Sequence, residues 1–112
     1  MVRPNKFEVK QKVEGKKVTL SLQGELDLGT LGELSDRLAQ HLDAGAAELT
    51  IDLRELAFMD SSGLRLLIEL YDRSRADGWG LKLVCPEHET AALVLQATGA
   101  DKVLPFVPAV EA

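Results

Sequence analysis

The hydrophobic positions of the chain repeat with two different periods. Several short segments alternate apolar with polar residues, and this period of two predicts strands that bury one face. The predicted strands cover residues 18–22, 49–53 and 81–84, preceded by a strand that carries Phe7 and Val9 and followed by a short last strand over 103–107. A turn near Gly15 joins the first two strands. Pro105 is expected to keep the last strand at a sheet edge, because proline cannot donate to a ladder.

Three longer segments repeat their apolar residues every three or four positions, which is typical of amphipathic helices. The predicted helices run from Thr30 to a stop at Gly45, from the segment 60–63 to about Ser74 or Arg75, and from about Glu87 to Thr98. Thr30 and Glu33 have the spacing of a capping box, in which the threonine side chain caps the first helix. Gly99 stands where a glycine commonly follows the last turn of a helix.

Strands that alternate with helices after an opening hairpin indicate an α/β fold, with a small mixed β-sheet and helices packed on it. The 112 residues fit a single domain with a core over about residues 5–107. In open sheets of this kind, functional sites collect outside the carboxyl ends of the strands. Two acidic loops that contain glycine, residues 24–30 and 58–63, are therefore expected to meet at that edge.

Composition narrows the classes of function. The net charge of -5 and the pI of about 5.0 disfavour nucleic acid and anionic membranes as partners, and only 4% of the residues are aromatic. The one cysteine, Cys85, excludes an internal disulfide framework. No spacing of histidines or carboxylates is typical of a metal site and no glycine-rich loop suits nucleotide phosphates, so we expect neither metal nor cofactor. No apolar stretch resembles a signal peptide or a membrane span, which leads us to expect a cytoplasmic protein.

The densest candidate for chemistry is the segment from Phe58 to Gly63, which reads Phe-Met-Asp-Ser-Ser-Gly. A serine here could simply cap the following helix. Two consecutive serines exceed what one cap requires, however. Gly63 at a helix start costs about 1 kcal/mol relative to alanine, which suggests that something approaches the backbone closely. The free N–H groups and the dipole of a helix start also suit a phosphate.

A catalytic serine is one alternative, and the sequence disfavours it. Met59 stands where a nucleophile elbow needs its first glycine, and the only histidines, His41 and His88, have no evident route to Ser61. A modified serine fits better, because a phosphate adds about -1.5 to -2 charges at a helix start that tolerates them. On an acidic rim, that charge would repel a partner that accepts the neutral serine. Arg65 would either offset part of the charge or be an ordinary exposed helix residue.

Three segments together resemble one known family. Residues 60–64, Asp-Ser-Ser-Gly-Leu, follow the strand 49–53 and are similar to the signature of the anti-sigma factor antagonists, the STAS-domain family. Residues 24–27, Gly-Glu-Leu-Asp, resemble the first loop of the family, and residues 95–104 resemble its closing helix, glycine and strand. The resemblance covers about residues 5–107, and three motifs in the right order are far more specific than one.

The resemblance implies a STAS-like fold and a binding protein rather than an enzyme. Unphosphorylated members bind an anti-sigma factor that is also a serine kinase, which frees the sigma factor for transcription. The kinase phosphorylates the antagonist on the residue that corresponds to Ser61, and a serine phosphatase reverses the modification. Asp27 corresponds to an acidic position near that serine and is carried over as a contact or a phosphorylation determinant. The implied partner-binding residues are Asp27, Asp60, Ser61, Ser62, Gly63 and Arg65.

Three points limit what the resemblance implies. Well-known members often have a small residue at the position of Arg65, so the arginine either alters the fit of the partner or pairs with phosphate. Ser62 stands at a variable position and is not assigned the modification. Some relatives lack a kinase partner and serve in stress-sensing scaffolds or lipid-transport complexes. A constitutive assembly subunit of such a complex is therefore the alternative function.

Overall fold

Strands and helices alternate along the chain much as the sequence predicts. A computed structural model describes residues 6–109, so the outer ends of the predicted domain lie outside the described residues. The strands are β1 (Glu8–Glu14), β2 (Lys17–Leu26), β3 (Glu48–Asp52), β4 (Leu56–Met59) and β5 (Gly80–Val84), and the helices are α1 (Leu31–Asp43), α2 (Ser61–Asp77) and α3 (Glu89–Thr98), with a short 3-10 helix at Ala100–Lys102.

The five strands form one mixed sheet in the order β1-β2-β3-β5, and β4 pairs with β2. β1 and β2 are antiparallel and are joined at Gly15, whose φ of +62° is one that glycine adopts without a steric cost. β3 pairs in parallel with β2 and β5 pairs in parallel with β3, since intervening helices provide the crossovers that parallel strands require. The expected α/β fold, a mixed sheet with helices packed on it, is confirmed.

Leucine side chains from the sheet and all three helices fill one hydrophobic core. β2 buries every second residue from Val18 onward, whereas β3 is buried from Leu49 to Asp52 because it lies in the middle of the sheet. α2 contributes more to the core than α1 does, which agrees with its wider apolar stripe. Residues buried by these helices include Leu34 and Leu38 of α1 and Leu64, Leu67 and Leu70 of α2.

A bidentate ion pair holds the chain where it leaves β3. The Arg54 guanidinium donates to both carboxylate oxygens of Asp52, with an Nη2–Oδ2 distance of 2.6 Å. Because these hydrogen bonds outweigh the cost of burial, the pKa of Asp52 is lowered. The Arg54 backbone N–H also donates to Asp52 Oδ1 at 3.0 Å, which fixes the turn that leads into β4.

One stretch of the sheet extends further than predicted. Residues 24–26 continue β2 through the expected bend and pair with β4, a strand that the sequence did not predict. The register shifts between Gly24 and Glu25, and Gly24 has a φ of +95°. A glycine at such a bulge looks like a turn in the sequence, although the strand continues through it.

The predicted last strand over residues 103–107 is wrong. Only one bridge forms there, between Phe106 and Leu83 of β5. The Leu83 N–H donates to the Pro105 carbonyl at 3.0 Å, and the Val107 N–H donates to the Leu83 carbonyl at 2.8 Å. This segment lies along the edge of β5 without forming a ladder, because Pro105 has no N–H to donate.

The helices begin and end within about two residues of the predicted positions, but one cap differs. Thr30 occupies the N-cap position of α1, yet its side chain makes no capping hydrogen bond, so the predicted capping box is wrong. α2 continues to Asp77 and α3 begins at Glu89. Within residues 6–109, no helix is both long enough and apolar enough to cross a membrane.

Candidate functional site

Two acidic loops, one after β2 and one after β4, lie side by side as expected. Leu26 of β2 pairs with Met59 of β4, and each is followed directly by an aspartate, Asp27 or Asp60. The Asp60 N–H donates to the Leu26 carbonyl at 3.2 Å, which joins the two loops. The parallel pairing of the two strands therefore brings the starts of α1 and α2 together at one edge of the sheet.

Asp60, and not a serine, caps α2. Its backbone is extended, with φ -100° and ψ -175°, and its Oδ1 accepts hydrogen bonds from two N–H groups of the first turn. The Ser62 N–H lies 2.9 Å from this oxygen and the Gly63 N–H lies 3.3 Å from it. An N-cap aspartate satisfies donors that the helix itself leaves unpaired. The interpretation of Ser61 as a helix cap is therefore wrong.

The Asp60 carboxylate is held in its charged form. The hydrogen bond from the Ser62 hydroxyl is the main cause of its lowered pKa and outweighs the effect of desolvation. The backbone N–H groups of Gly63, Ser62 and Leu28 lower the pKa further. Leu28 belongs to the loop after β2, so this carboxylate interacts with both loops and supplies a fixed negative charge beside the two serines.

The two serines have different surroundings. The Ser62 hydroxyl is half-buried and donates to Asp60 Oδ1. The Ser61 side chain is exposed at the first position of α2, and within residues 6–109 its hydroxyl has no hydrogen-bond partner. Only the Ser61 hydroxyl can therefore give up or donate its proton without breaking an internal hydrogen bond.

Asp27 organises the loop before α1. Its Oδ1 accepts from the N–H groups of Gly29 at 3.0 Å and Thr30 at 3.1 Å. The Thr30 hydroxyl in turn donates to the Glu25 carbonyl at 2.8 Å and accepts from the Asp27 N–H at 3.0 Å. Asp27 is thus a structural residue of this loop, whatever else it contacts, and its replacement by alanine removes hydrogen bonds as well as charge.

Gly63 is buried against the protein's own core. A Cβ atom at this position would lie 2.9 Å from Met59 Cγ and 3.0 Å from Leu26 Cγ and Cδ2. The close approach that the sequence suggests is therefore made by the paired ends of β2 and β4. Gly63 lets the first turn of α2 lie directly on these strands, and this packing fixes the position of Ser61 and Ser62.

A shallow groove of about 390 Å³ runs between α1 and α2 in front of Ser61. Its lining residues are Leu28, Leu31, Ser35, Ser61, Ser62, Arg65, Leu66 and Glu69. Of these, the sequence analysis assigned only Ser61, Ser62 and Arg65 to the site. Leu66 follows Ser62 by four positions and Glu69 follows Arg65 by four, so helical spacing from the two serines could have found both.

The apolar residues of the two loops have different roles. Leu26 and Met59 are buried in the core, whereas Leu28 is 77% exposed at the tip of its loop. The two histidines lie elsewhere. His41 of α1 lies 3.1 Å from Gln11 Oε1 on β1, and His88 occupies the N-cap position of α3. No histidine is among the residues that line the groove in front of Ser61.

Similarity to known proteins agrees with this architecture. The family model described as the STAS domain matches residues 7–112. An anti-sigma factor antagonist from Mycobacterium paratuberculosis is similar in structure, with a TM-score of 0.83, 22% identity, and coverage of 99% of this chain and 93% of that one. At that identity the likeness shows a shared fold.

Two structures of the anti-sigma factor antagonist SpoIIAA are also similar. The unphosphorylated form has a TM-score of 0.73 and 25% identity, and the match covers 93% of this chain and 88% of that one. The phosphorylated form, described as a Bacillus cell fate determinant, has a TM-score of 0.69 and 25% identity, with coverage of 93% and 91%. Because the family model spans nearly the whole sequence, this chain belongs to the STAS domain family.

Proposed function

We propose that this protein is an anti-sigma factor antagonist that is switched off by phosphorylation of Ser61. In its unphosphorylated form it binds an anti-sigma factor that is also a serine kinase, and this binding releases the sigma factor. A serine phosphatase restores the binding form. The similarity to SpoIIAA, whose structure exists in unphosphorylated and phosphorylated forms, supports this reading.

The free hydroxyl of Ser61 is the observation that carries the proposal. A kinase needs an accessible hydroxyl, and modification should leave the fold intact. Ser61 meets both conditions because its side chain is exposed and Asp60 already provides the cap of α2. A phosphate at the first position of a helix is also favoured by the helix dipole. Ser62 does not meet the first condition, since its hydroxyl is bonded to Asp60.

The surface around Ser61 suits a protein partner. The groove offers apolar contacts from Leu28, Leu31 and Leu66 beside polar ones from Ser61 and Arg65. Surfaces that combine apolar and polar contacts are common in interfaces between proteins. We propose that Asp27, Ser61 and Arg65 face the partner and that Asp60, Ser62 and Gly63 hold this surface in place.

Phosphorylation would change this surface electrostatically. A phosphate adds about -1.5 to -2 charges at pH 7, and the charged Asp60 carboxylate is already close by. A partner that accepts a neutral serine would then meet a concentrated negative charge, and like charges brought together across an interface cost several kcal/mol. The modification can therefore release the partner without a change in the fold.

An affinity comparison tests the proposal. The wild-type protein and the variants Ser61→Asp and Ser62→Ala would be titrated against the anti-sigma factor kinase of the same host by calorimetry. We expect Ser61→Asp to bind at least about tenfold more weakly, which corresponds to a loss of about 1.4 kcal/mol, and Ser62→Ala to bind nearly as the wild type does. Equal affinities of Ser61→Asp and the wild type would show that charge at Ser61 is not the switch.

The role of Asp27 needs a substitution that keeps its loop. Asp27→Asn retains an oxygen that can accept from Gly29 and Thr30, and it removes the charge. If the charge takes part in recognition, this variant binds the kinase more weakly or is phosphorylated more slowly while its free energy of unfolding stays within about 0.5 kcal/mol of wild type. Unchanged affinity and phosphorylation rate would limit Asp27 to its structural role.

A further inference from the structure

Arg65 is the cationic residue of the groove in front of Ser61. It lies on α2 four positions after Ser61, so the two side chains occupy the same face of the helix, one turn apart. Within residues 6–109, no carboxylate lies within 4.0 Å of the Arg65 guanidinium, so no ion pair holds this side chain in place.

The groove contains few charges that could compete for Arg65. Glu69 lines it one further turn along α2, and α1 contributes only Leu31 and Ser35. Asp60 and Asp27 lie at the sheet end of the site, and Asp60 Oδ1 is already bonded to the first turn of α2. A phosphate on Ser61 would be repelled by these aspartates, and the nearest cation on its own helix face is Arg65.

We propose that Arg65 pairs with the phosphate on Ser61, an inference that rests on the proposed phosphorylation. A phosphoserine presents three acceptor oxygens, and the planar guanidinium can donate to two of them at once. Arg65 is in this sense a positioning residue, because it draws the phosphate along α2 and away from Asp60.

The pairing gives phosphorylation a second effect on the partner surface. In the unphosphorylated protein, Arg65 is free to donate to an acidic group of the partner. In the phosphorylated protein, the same guanidinium is occupied by the phosphate. The modification therefore adds a negative charge to the groove and also withdraws its cation from the partner.

The titration of the phosphate itself tests the pairing directly. Protein carrying phosphoserine at position 61, inserted during translation, would be titrated by phosphorus NMR between pH 4.5 and 8, in the forms wild type, Arg65→Gln, Arg65→Lys and Arg73→Gln. Arg73 is the matched control, since it is an exposed arginine of the same helix about 18 Å along the axis from Ser61.

A nearby cation favours the dianionic phosphate and so lowers its second pKa, which is about 6 when unperturbed. We expect Arg65→Gln to raise this pKa by about 0.2–0.4 unit, as the loss of a helix pair of this spacing would. Arg65→Lys should raise the pKa of the phosphate by less, because the positive charge stays and only the planar, two-pronged guanidinium is lost. The rise with Arg65→Gln should shrink at high salt, because exposed ion pairs are screened.

An equal shift for Arg65→Gln and Arg73→Gln would overturn the pairing. This outcome is independent of the proposed switch, because the phosphoserine is installed without a kinase and the signal requires no partner. If the phosphorylated protein still bound the anti-sigma factor kinase, the proposed function would fail while the titration could still reveal the pair. If the titration showed no pair, phosphate could still block binding by its charge alone.

Discussion

An aspartate accepts hydrogen bonds from backbone N–H groups at the start of both α1 and α2, but the nearby hydroxyls differ: that of Thr30 is hydrogen-bonded and that of Ser61 is not. In each case a strand ends in a buried apolar residue, an aspartate follows, and one carboxylate oxygen accepts from two backbone N–H groups. Before α1, the Thr30 hydroxyl is bonded to Glu25 and Asp27 within the loop. At α2, the Ser61 hydroxyl is exposed and without a hydrogen bond among residues 6–109.

The difference shows how a reactive position can be built without weakening the fold. Asp60 provides the cap, Ser62 orients Asp60, and Gly63 brings the helix onto the sheet. Ser61 has none of these tasks. It can therefore change its charge while the surrounding structure stays in place, whereas the Thr30 hydroxyl before α1 is part of its loop's hydrogen bonds.

Gly63 provides the prediction with the largest effect. Gly63→Ala should lower the free energy of unfolding by about 1–3 kcal/mol, because the new methyl group would overlap Met59 and Leu26 in a packed core. Gly32→Ala in α1 is the control, since no atom lies within 4 Å of its added Cβ. That variant should gain about 0.5–1 kcal/mol from helix propensity. Urea unfolding measures both, and equal effects would contradict the close packing at Gly63.

Asp60 and Asp27 should contribute about equally to the free energy of unfolding. Asp60→Ala and Asp27→Ala should each lower the free energy of unfolding by about 1 kcal/mol at pH 7, because each removes the acceptor for two backbone N–H groups. The corresponding asparagine variants should lose less. A loss confined to one of the two alanine variants would break the parallel between the loops.

The free energy of unfolding should depend differently on acid pH in the wild type and in Asp60→Asn. The pKa of Asp60 is lowered from its ordinary value of 3.8, so its charge stabilises the folded state above that value. This contribution is lost as the pH falls through the lowered pKa of the folded state. Asp60→Asn should therefore show a shallower loss of stability below pH 3.8 than the wild type. Identical slopes in urea unfolding would contradict the assigned hydrogen bonds.

The two hydroxyls should give the clearest contrast, with the smallest effect of all at Ser61. Thr30→Val removes a donor and an acceptor from a folded loop and should lower the free energy of unfolding by about 1–2 kcal/mol. Ser61→Ala should change it by less than about 0.5 kcal/mol. Thermal unfolding followed by circular dichroism provides the comparison. A loss for Ser61→Ala as large as that for Thr30→Val would mean that Ser61 is a structural residue.

Much of the fold could be predicted because its signals are local. Alternation in residues 18–22 and 49–53 and the leucine stripe of the first helix needed no knowledge of partners. β4 was missed because its four residues show no alternation and its pairing depends on β2. The segment 103–107 looked like a strand by composition, and only its position beside Leu83 shows that a single bridge forms.

The residues at the start of α2 could be predicted from the sequence as site residues, but the role of each one could not. The sequence places Asp60, Ser61, Ser62 and Gly63 together, but it does not tell which oxygen caps the helix. That choice depends on the extended backbone of Asp60 and on the bond from Ser62. The groove beyond Ser61 also depends on how α1 lies against α2, which no local pattern specifies.

Intact mass of the protein purified from its own host tests the central claim most directly. Samples would be taken from growing and from stressed cells, for the wild type, Ser61→Ala and Ser62→Ala. Our account predicts a species with one phosphate that varies with condition, persists in Ser62→Ala and disappears in Ser61→Ala. A single unmodified mass under every condition, or a phosphate that remains in Ser61→Ala, would contradict it and would favour a constitutive assembly subunit or a different modified residue.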